Sequence, residues 1–272
     1  MNFSDILYDK SDRIATITLN RPEKLNAWTR RMGDDVREAM LDADRDDDVR
    51  VIVVTGAGKA YCAGADMDLL ARISRGEESA TRTDEPRTSA SDVSANYRGR
   101  FSYMLALRKP IIGAINGACV GIGLTSSLYF DLRIASDAAR LGLIFVRRGL
   151  AIEHGSSWML PRLVGVPAAL DLALTGRLVD AQEALAMGLV SRVLPADKLL
   201  ATVREIAGEI ATKCAPLGVA QAKRMIYDHL FTDLATAQRE DDQATDRMFE
   251  SEDFKEGIQA FKEKRPARFR GR

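Results

Sequence analysis

Two glycine-bearing stretches decide how this chain folds: Tyr61–Asp66, which reads Tyr-Cys-Ala-Gly-Ala-Asp, and Asn116–Gly123, which reads Asn-Gly-Ala-Cys-Val-Gly-Ile-Gly. Each lies between a β-branched run and a helical pattern, so each predicts a turn from a strand into a helix. Glycine lets the backbone come close to a ligand, and the free N–H groups of a helix start favour negative charge. Two such turns can therefore direct two N–H groups at one oxyanion formed from a carbonyl group. Either turn taken alone is equally well explained as an ordinary strand-to-helix connection.

The residues on either side of these turns predict an α/β fold. Apolar runs and alternation indicate strands at Ile6–Tyr8, Ile14–Leu19, Val51–Val54, Ile111–Ile115, Leu132–Ala135 and Val190–Val193. Helical spacing runs from Thr29, a candidate N-cap, to Ala43. The alternation of strands and helices favours parallel strands covered by helices.

The last quarter of the chain has no strand pattern. Amphipathic helices are predicted at Leu199–Ala211, Leu217–Leu230, Asp233–Phe249 and Asp253–Lys262. We therefore expect an α/β core over residues 1–195 and a helical region over residues 196–272.

The segment Ser74–Ser94 is polar, contains Pro86 and has almost no apolar residues, which predicts a long surface loop. Such a loop can act as a lid over a site, or it can be a simple insertion. Helical character is predicted to resume over Tyr97–Leu107.

Composition excludes several classes of function. The chain has 272 residues, with 39 basic and 39 acidic side chains, so no net charge favours nucleic acid or an anionic membrane as partner. Three widely spaced cysteines and the absence of a signal-like N-terminus are typical of a cytoplasmic protein. Only two histidines are present, and no metal-ligand spacing occurs, so we expect no metal site.

The two turns, together with several other segments in the same order, resemble the crotonase superfamily, also called the enoyl-CoA hydratase/isomerase family. The further matching segments are Asn20–Ala27, Leu174–Arg177, Ala184–Val190 and Glu256–Arg265. The resemblance implies a crotonase-like spiral of ββα units, a C-terminal helical trimerisation region, and a homotrimer or dimer of trimers. It also implies an acyl-CoA thioester substrate, with CoA as part of the substrate and no other bound cofactor.

The same resemblance assigns roles to residues of this chain. It implies that the oxyanion donors are the backbone N–H groups of Ala65 and Ile122. The positions that match the CoA-lining residues of the family are Lys24, Leu25, Ala27, Ala63, Asp66, Met67 and Asp68. Phe261 and Lys264 match tail residues that can reach a CoA bound to the adjacent subunit.

The departures from the family pattern matter most for the choice of reaction. The positions of the two glutamates that hold the attacking water in standard hydratases are occupied by Thr125 and Phe145. Neither side chain can act as a carboxylate base. Glu153 matches the position of the acid in dienoyl-CoA isomerases and aryl-CoA dehalogenases of the family, and it is the leading catalytic candidate. A surface carboxylate paired with Arg147, Arg148 or Arg162 is the alternative interpretation of Glu153.

His154 is a second candidate for proton transfer, because its pKa is ordinarily near neutral. As a lone histidine, however, it is better explained as a structural or polar pocket residue, and adjacency to Glu153 in sequence does not by itself bring the two side chains together. The sequence thus favours double-bond isomerisation by Glu153, with hydration through a differently placed water still open. Two other classes remain: a non-catalytic acyl-CoA-binding protein, and a serine hydrolase that would use Ser126 or Ser127 with His154.

Overall fold

A computed structural model of the chain describes residues 3–79 and 94–272. Most of the predicted lid, residues 80–93, lies outside the described residues. The strands are β1 (Ile6–Ser11), β2 (Ile14–Leu19), β3 (Val51–Gly56), β4 (Ala60–Cys62), β5 (Ile111–Ile115), β6 (Ala118–Val120), β7 (Leu132–Ser136), β8 (Arg140–Gly142), β9 (Val179–Asp180) and β10 (Arg192–Leu194). The helices are α1 (Arg30–Arg45), α2 (Met67–Ser74), α3 (Ile122–Ser127), α4 (Ser156–Thr175), α5 (Ala181–Ala186), α6 (Leu199–Lys213), α7 (Pro216–Asp228), α8 (Leu234–Glu250) and α9 (Glu252–Glu263).

The strands form two sheets. The larger sheet has the order β1-β2-β3-β5-β7-β10, and the smaller sheet has the order β4-β6-β8-β9. All pairs in the larger sheet are parallel except β1 with β2. The successive units β3-β4-α2, β5-β6-α3 and β7-β8-α4 each contribute one strand to each sheet. This repeated ββα arrangement confirms the predicted spiral.

The larger sheet is covered on both faces, which explains the continuous apolar run of β3. Every residue of β3 is buried. One face packs into the main core, while Val51 and Val53 belong to a second cluster that includes Leu199 and Val203 of α6. Parallel strands buried on both faces are usually rich in valine and isoleucine, as this one is.

Local signals set the start of α1. The Thr29 hydroxyl accepts a hydrogen bond of 2.9 Å from the Met32 N–H group, so the predicted N-cap is confirmed. Met32, Val36, Ala39 and Met40 are buried against the core. The helix therefore presents the apolar stripe that its spacing predicts.

The C-terminal helices lie within two residues of their predicted bounds. Of these, α6 packs on the larger sheet, whereas α7, α8 and α9 form the helical C-terminal region. The division at residues 195 and 196 stays a prediction. No helix within residues 3–79 and 94–272 has the length and apolar character that crossing a membrane requires.

The helical character predicted over Tyr97–Leu107 is present only in part, and no continuous helix spans the segment. Two short 3-10 turns, Ala95–Tyr97 and Ser102–Ala106, occupy the segment. The N–H group of Gly99 donates to the Ser102 hydroxyl at 3.0 Å, so this side chain replaces a helical carbonyl as acceptor. Glycine also has low helix propensity, which favours a break here.

Candidate active site

The two glycine turns lie side by side. Strand β4 pairs with β6 in parallel, with Cys62 opposite Cys119. The turns that follow these two strands therefore lie at the same end of the smaller sheet. A Cβ atom built on Gly121 would lie 3.8 Å from the Cα of Gly64. Gly121 has φ 55° and ψ −123°, a conformation that residues with a Cβ rarely adopt. Tertiary pairing thus places together two turns that are about 55 residues apart in sequence.

Each turn carries one of the two N–H groups that we expect to bind an oxyanion. The N–H group of Trp28 donates to the Gly64 carbonyl at 2.8 Å, and that of Asp66 donates to the Trp28 carbonyl at 3.0 Å. Because successive N–H groups in an extended chain point to opposite sides, the N–H group of Ala65 faces away from Trp28. Ile122 is the first residue of α3, where N–H groups have no intrahelical acceptor. The arrangement suits the expected pair of donors.

The segment expected to line the CoA site runs along the first turn. The N–H group of Ala63 donates to the Leu25 carbonyl at 3.0 Å, and the Lys24 ammonium lies 3.9 Å from the Asp68 carboxylate. Leu25 and Met67 are 47% and 62% exposed, so both offer apolar surface to a ligand. Ala27 precedes Trp28 in sequence, and its N–H group donates to the Lys24 carbonyl at 3.0 Å. The structure therefore brings the predicted residues of segments 24–27 and 63–68 together.

Asn26 and Arg21, which our sequence reasoning did not single out, hold this segment in place. Asn26 is fully buried and donates to the carbonyl oxygens of Ala57 and Ala60 at 2.9 and 2.8 Å. Arg21 donates to the Asp66 carboxylate at 2.9 Å and to the Ala27 carbonyl at 2.7 Å. Both residues lie in the quoted segment Asn20–Ala27, so the signal was present in the sequence.

Asp66 has a structural role at the start of α2. Its carboxylate accepts hydrogen bonds from the N–H groups of Asp68 and Leu69 at 3.0 and 3.2 Å. Burial would raise the pKa of Asp66, but the Arg21 guanidinium and these amides lower it below its ordinary value. Asp66 therefore remains ionised and fixes the helix next to Ala65.

Glu153 lies on a turn directly before α4. Its side chain is 39% exposed, and burial raises its pKa above the ordinary value, with partial opposition from the positive charge of Arg100. The three arginines proposed as alternative partners have other contacts. Arg147 donates to the Thr175 carbonyl at 3.0 Å, and Arg148 donates to the Arg147 carbonyl at 3.4 Å. The Arg162 guanidinium lies 3.6 Å from the centre of the Trp158 ring. A raised pKa in a half-buried carboxylate is typical of proton-transfer groups.

The His154 ring lies close to the Glu153 carboxylate, which adjacency in sequence alone does not require. Its Nε2 atom lies 3.5 Å from Oε1 of Glu153, and its ring packs edge-on against Phe101 with centroids 5.5 Å apart. Burial and the nearby Arg100 charge lower the pKa of His154 to about 4. The imidazole is therefore neutral at pH 7 and can donate or accept a hydrogen bond, but it supplies no positive charge.

Positions 125 and 145, where the family pattern has glutamates, are buried away from bulk water in this chain. Thr125 is fully buried, and its hydroxyl has no hydrogen-bond partner among the residues that the structure describes. Phe145 is also buried. Ser126 and Ser127 donate to the carbonyl oxygens of Gly123 and Leu124 at 2.9 and 2.8 Å, so both hydroxyls are engaged within α3. These contacts oppose the serine hydrolase alternative.

The residues expected to reach an adjacent subunit lie on the C-terminal region. Phe261 is 86% exposed on α9, and Lys264 ends this helix with φ 53°. Arg100, Phe101 and Tyr129 lie near Glu153 or His154 and were missed, since nothing in their local sequence distinguishes them from core or surface residues.

Comparison with known proteins agrees with this geometry. Residues 9–272 match the family model described as enoyl-CoA hydratase/isomerase. The chain is 34% identical over 269 residues to a probable enoyl-CoA hydratase of Mycobacterium bovis, covering 99% of both proteins. It is 31% identical over 264 residues to the 1,2-epoxyphenylacetyl-CoA isomerase of Escherichia coli, covering 95% of both. A crystal structure of a probable enoyl-CoA hydratase/isomerase from Mycobacterium abscessus superposes with a TM-score of 0.86 at 35% identity, covering 98% of this chain and 99% of that one.

Proposed function

This chain belongs to the enoyl-CoA hydratase/isomerase family and is an enzyme of that family, and from this premise we propose how its own residues perform the reaction. The substrate is an acyl-CoA thioester. The N–H groups of Ala65 and Ile122 stabilise the negative charge that develops on the thioester oxygen, and Glu153 transfers the proton. A single donor of this kind contributes roughly 2.7–4 kcal/mol to transition-state stabilisation.

The observation that carries the proposal is the contact between the two glycine turns, together with one half-buried carboxylate of raised pKa. Glu153 removes a proton from the carbon next to the thioester, the electron pair moves to the oxygen held by Ala65 and Ile122, and the proton returns at the γ carbon. Relocation of a double bond requires only this one base. Hydration through the usual pair of glutamates is opposed by Thr125 and Phe145, so isomerisation is the favoured reaction.

The remaining parts of the proposal follow from the same family. CoA enters as part of the substrate, and no resident cofactor or metal takes part. We place the enzyme in the cytoplasm as a trimer or dimer of trimers. In that assembly, Phe261 and Lys264 contact the CoA of an adjacent subunit, and the 86% exposure of Phe261 supports this role.

The test is an assay with a panel of 2-enoyl-CoA and 3-enoyl-CoA thioesters, followed by mass spectrometry. Isomerisation leaves the mass unchanged, whereas hydration adds one water. Glu153→Gln should lower kcat by about 10²–10⁴-fold, the range for general acid–base groups. Glu205→Gln, a change of an exposed glutamate on α6, is the matched control and should retain wild-type kcat. Wild-type activity in Glu153→Gln would remove Glu153 from the reaction.

A further inference from the structure

Tyr129 connects two parts of the candidate site that are distant in sequence. Its hydroxyl donates a hydrogen bond of 2.6 Å to the main-chain carbonyl of His154. Tyr129 is 3% exposed, so little water competes for this bond. The acceptor belongs to the His154–Gly155 peptide group, which begins one residue after Glu153, the residue assigned to proton transfer.

The turn that carries Glu153 has an unusual backbone. His154 and Gly155 both have left-handed φ angles, 52° and 76°. The N–H group and the hydroxyl of Ser156 both donate to the Glu153 carbonyl, at 3.0 and 2.7 Å. A non-glycine residue with positive φ is uncommon, and it persists where surrounding contacts hold it. The bond from Tyr129 is one of those contacts.

The packing between Tyr129 and this turn is close. A Cβ atom built on Gly155 would lie 2.3 Å from the Tyr129 hydroxyl oxygen, which is shorter than any normal contact. Glycine at position 155 therefore provides the space that the hydroxyl occupies. The position of the turn and the position of the hydroxyl depend on each other.

Tyr129 also lies close in sequence to the second oxyanion donor. It follows α3, which begins at Ile122, and its own N–H group donates to the Ser126 carbonyl at 3.3 Å. The ring of Phe101 contacts both Tyr129 and His154, with centroids 6.3 and 5.5 Å apart. The hydroxyl bond thus joins the segment that holds the oxyanion donor to the turn that holds the carboxylate.

We propose that Tyr129 is a positioning residue that fixes the Glu153 carboxylate relative to the oxyanion donor of Ile122. This inference rests on the proposed role of Glu153. A displacement of about 1 Å between reacting groups can lower a rate about 10²-fold, and the bond to His154 resists such a displacement. Tyr129 itself does not exchange the proton, because burial raises the pKa of its hydroxyl to about 12 and the hydroxyl is engaged with His154.

The experiment compares Tyr129→Phe with wild type in the enoyl-CoA assay. Removal of the hydroxyl should lower kcat about five- to thirtyfold with little change in KM, since the CoA-lining segments 24–27 and 63–68 are untouched. A looser turn admits water to Glu153, so the acidic limb of the kcat/KM profile should shift to lower pH. Tyr8→Phe is the matched control, because the Tyr8 hydroxyl also donates one bond, of 2.7 Å, to Asp42 on α1. This control should keep wild-type kcat and pH profile.

A second variant tests the same contact from the other side. Gly155→Ala keeps Tyr129, but its methyl group would collide with the Tyr129 hydroxyl and alanine would also be strained at a φ of 76°, so the variant should lower kcat and shift the pH profile in the same direction. In the double variant with Tyr129→Phe the collision is relieved, and the added effect of Gly155→Ala on kcat should be smaller than in wild type. Additive effects, or an unchanged kcat and pH profile in Tyr129→Phe, would overturn the positioning role. If Glu153→Gln were inactive while Tyr129→Phe were unaffected, this inference would fail and the proposed function would stand.

Discussion

The side chains of Glu153 and His154 lie side by side, with 3.5 Å between Oε1 and Nε2, but they form no ion pair at neutral pH. Burial lowers the pKa of His154 to about 4 and raises that of Glu153. The histidine is neutral in the pH range where the carboxylate is ionised. The pair therefore combines a carboxylate base with a neutral imidazole.

The raised pKa of Glu153 predicts the pH dependence of turnover. Because the base must be deprotonated, kcat/KM should fall as pH decreases, with an apparent pKa above the ordinary value of 4.5. Arg100 opposes the shift, so Arg100→Gln should move this limb to higher pH. Arg162→Gln is the control, because Arg162 stacks on Trp158 instead. A limb that moves to lower pH in Arg100→Gln would contradict the assignment of the titrating group.

Protonation of His154 on unfolding should lower the stability of the protein in mild acid. Its folded pKa of about 4 lies below its unfolded value of 6.5, so the unfolded chain binds the proton first as pH falls below 6.5. At pH 5 this difference should lower the free energy of unfolding by about 2 kcal/mol relative to pH 7. His154→Asn removes the titrating group, and asparagine tolerates the left-handed φ. Urea unfolding at pH 7 and pH 5 should show a smaller loss in His154→Asn than in wild type; equal losses would exclude His154 as the cause.

Alanine substitutions at two helical glycines should change the free energy of unfolding in opposite directions. A Cβ atom at Gly123 in α3 would lie 2.8 Å from the Cys62 carbonyl oxygen, whereas at Gly208 in α6 it would meet no atom within 4 Å. Gly123→Ala should lower the free energy of unfolding by about 1–3 kcal/mol and reduce kcat, because α3 must move away from β4. Gly208→Ala should raise the free energy of unfolding by about 0.5–1 kcal/mol without affecting kcat. Urea denaturation and the enoyl-CoA assay measure both effects.

Asp66 combines a helix cap with an ion pair, and two substitutions separate these roles. Asp66→Asn keeps a capping oxygen but loses the charge that pairs with Arg21, so it should cost about 1 kcal/mol of folding free energy. Asp66→Ala loses both and should cost about 2 kcal/mol. The control is Asp180→Ala, which removes the side-chain cap of α5 at an exposed position and should cost about 1 kcal/mol. Equal losses in the two Asp66 variants would assign the whole effect to the Arg21 pair.

Substitution of Phe261 should weaken substrate binding without changing the stability of the folded chain. Because its side chain is 86% exposed, Phe261→Ala removes almost no buried surface within the chain. If it contacts CoA on an adjacent subunit, KM should rise several-fold while the urea concentration at the midpoint of unfolding stays the same. Leu7→Ala, at a 55% exposed position on β1, is the control. An unchanged KM would remove Phe261 from the CoA site.

The amino-acid sequence by itself determined the local structure and the family. The Thr29 cap, the β-branched strands and the C-terminal helices were predicted within a few residues, because each depends on neighbours within one or two turns of chain. The order of motifs from Asn20 to Arg265 indicated the family, and the absence of carboxylates at 125 and 145 was visible directly. The segment Tyr97–Leu107 forms short 3-10 turns instead of one continuous helix, and the Ser102 side chain takes the place of a helical carbonyl as acceptor for the Gly99 N–H group.

Only the tertiary structure decided how these parts meet. The contact between Gly64 and Gly121 depends on the parallel pairing of β4 with β6, and the bond from Tyr129 to His154 joins residues 25 positions apart. The pKa values of Glu153 and His154 depend on burial and on the charge of Arg100, which comes from a different segment. Such effects arise from distances between atoms that are remote in sequence, and no local pattern of residues records them.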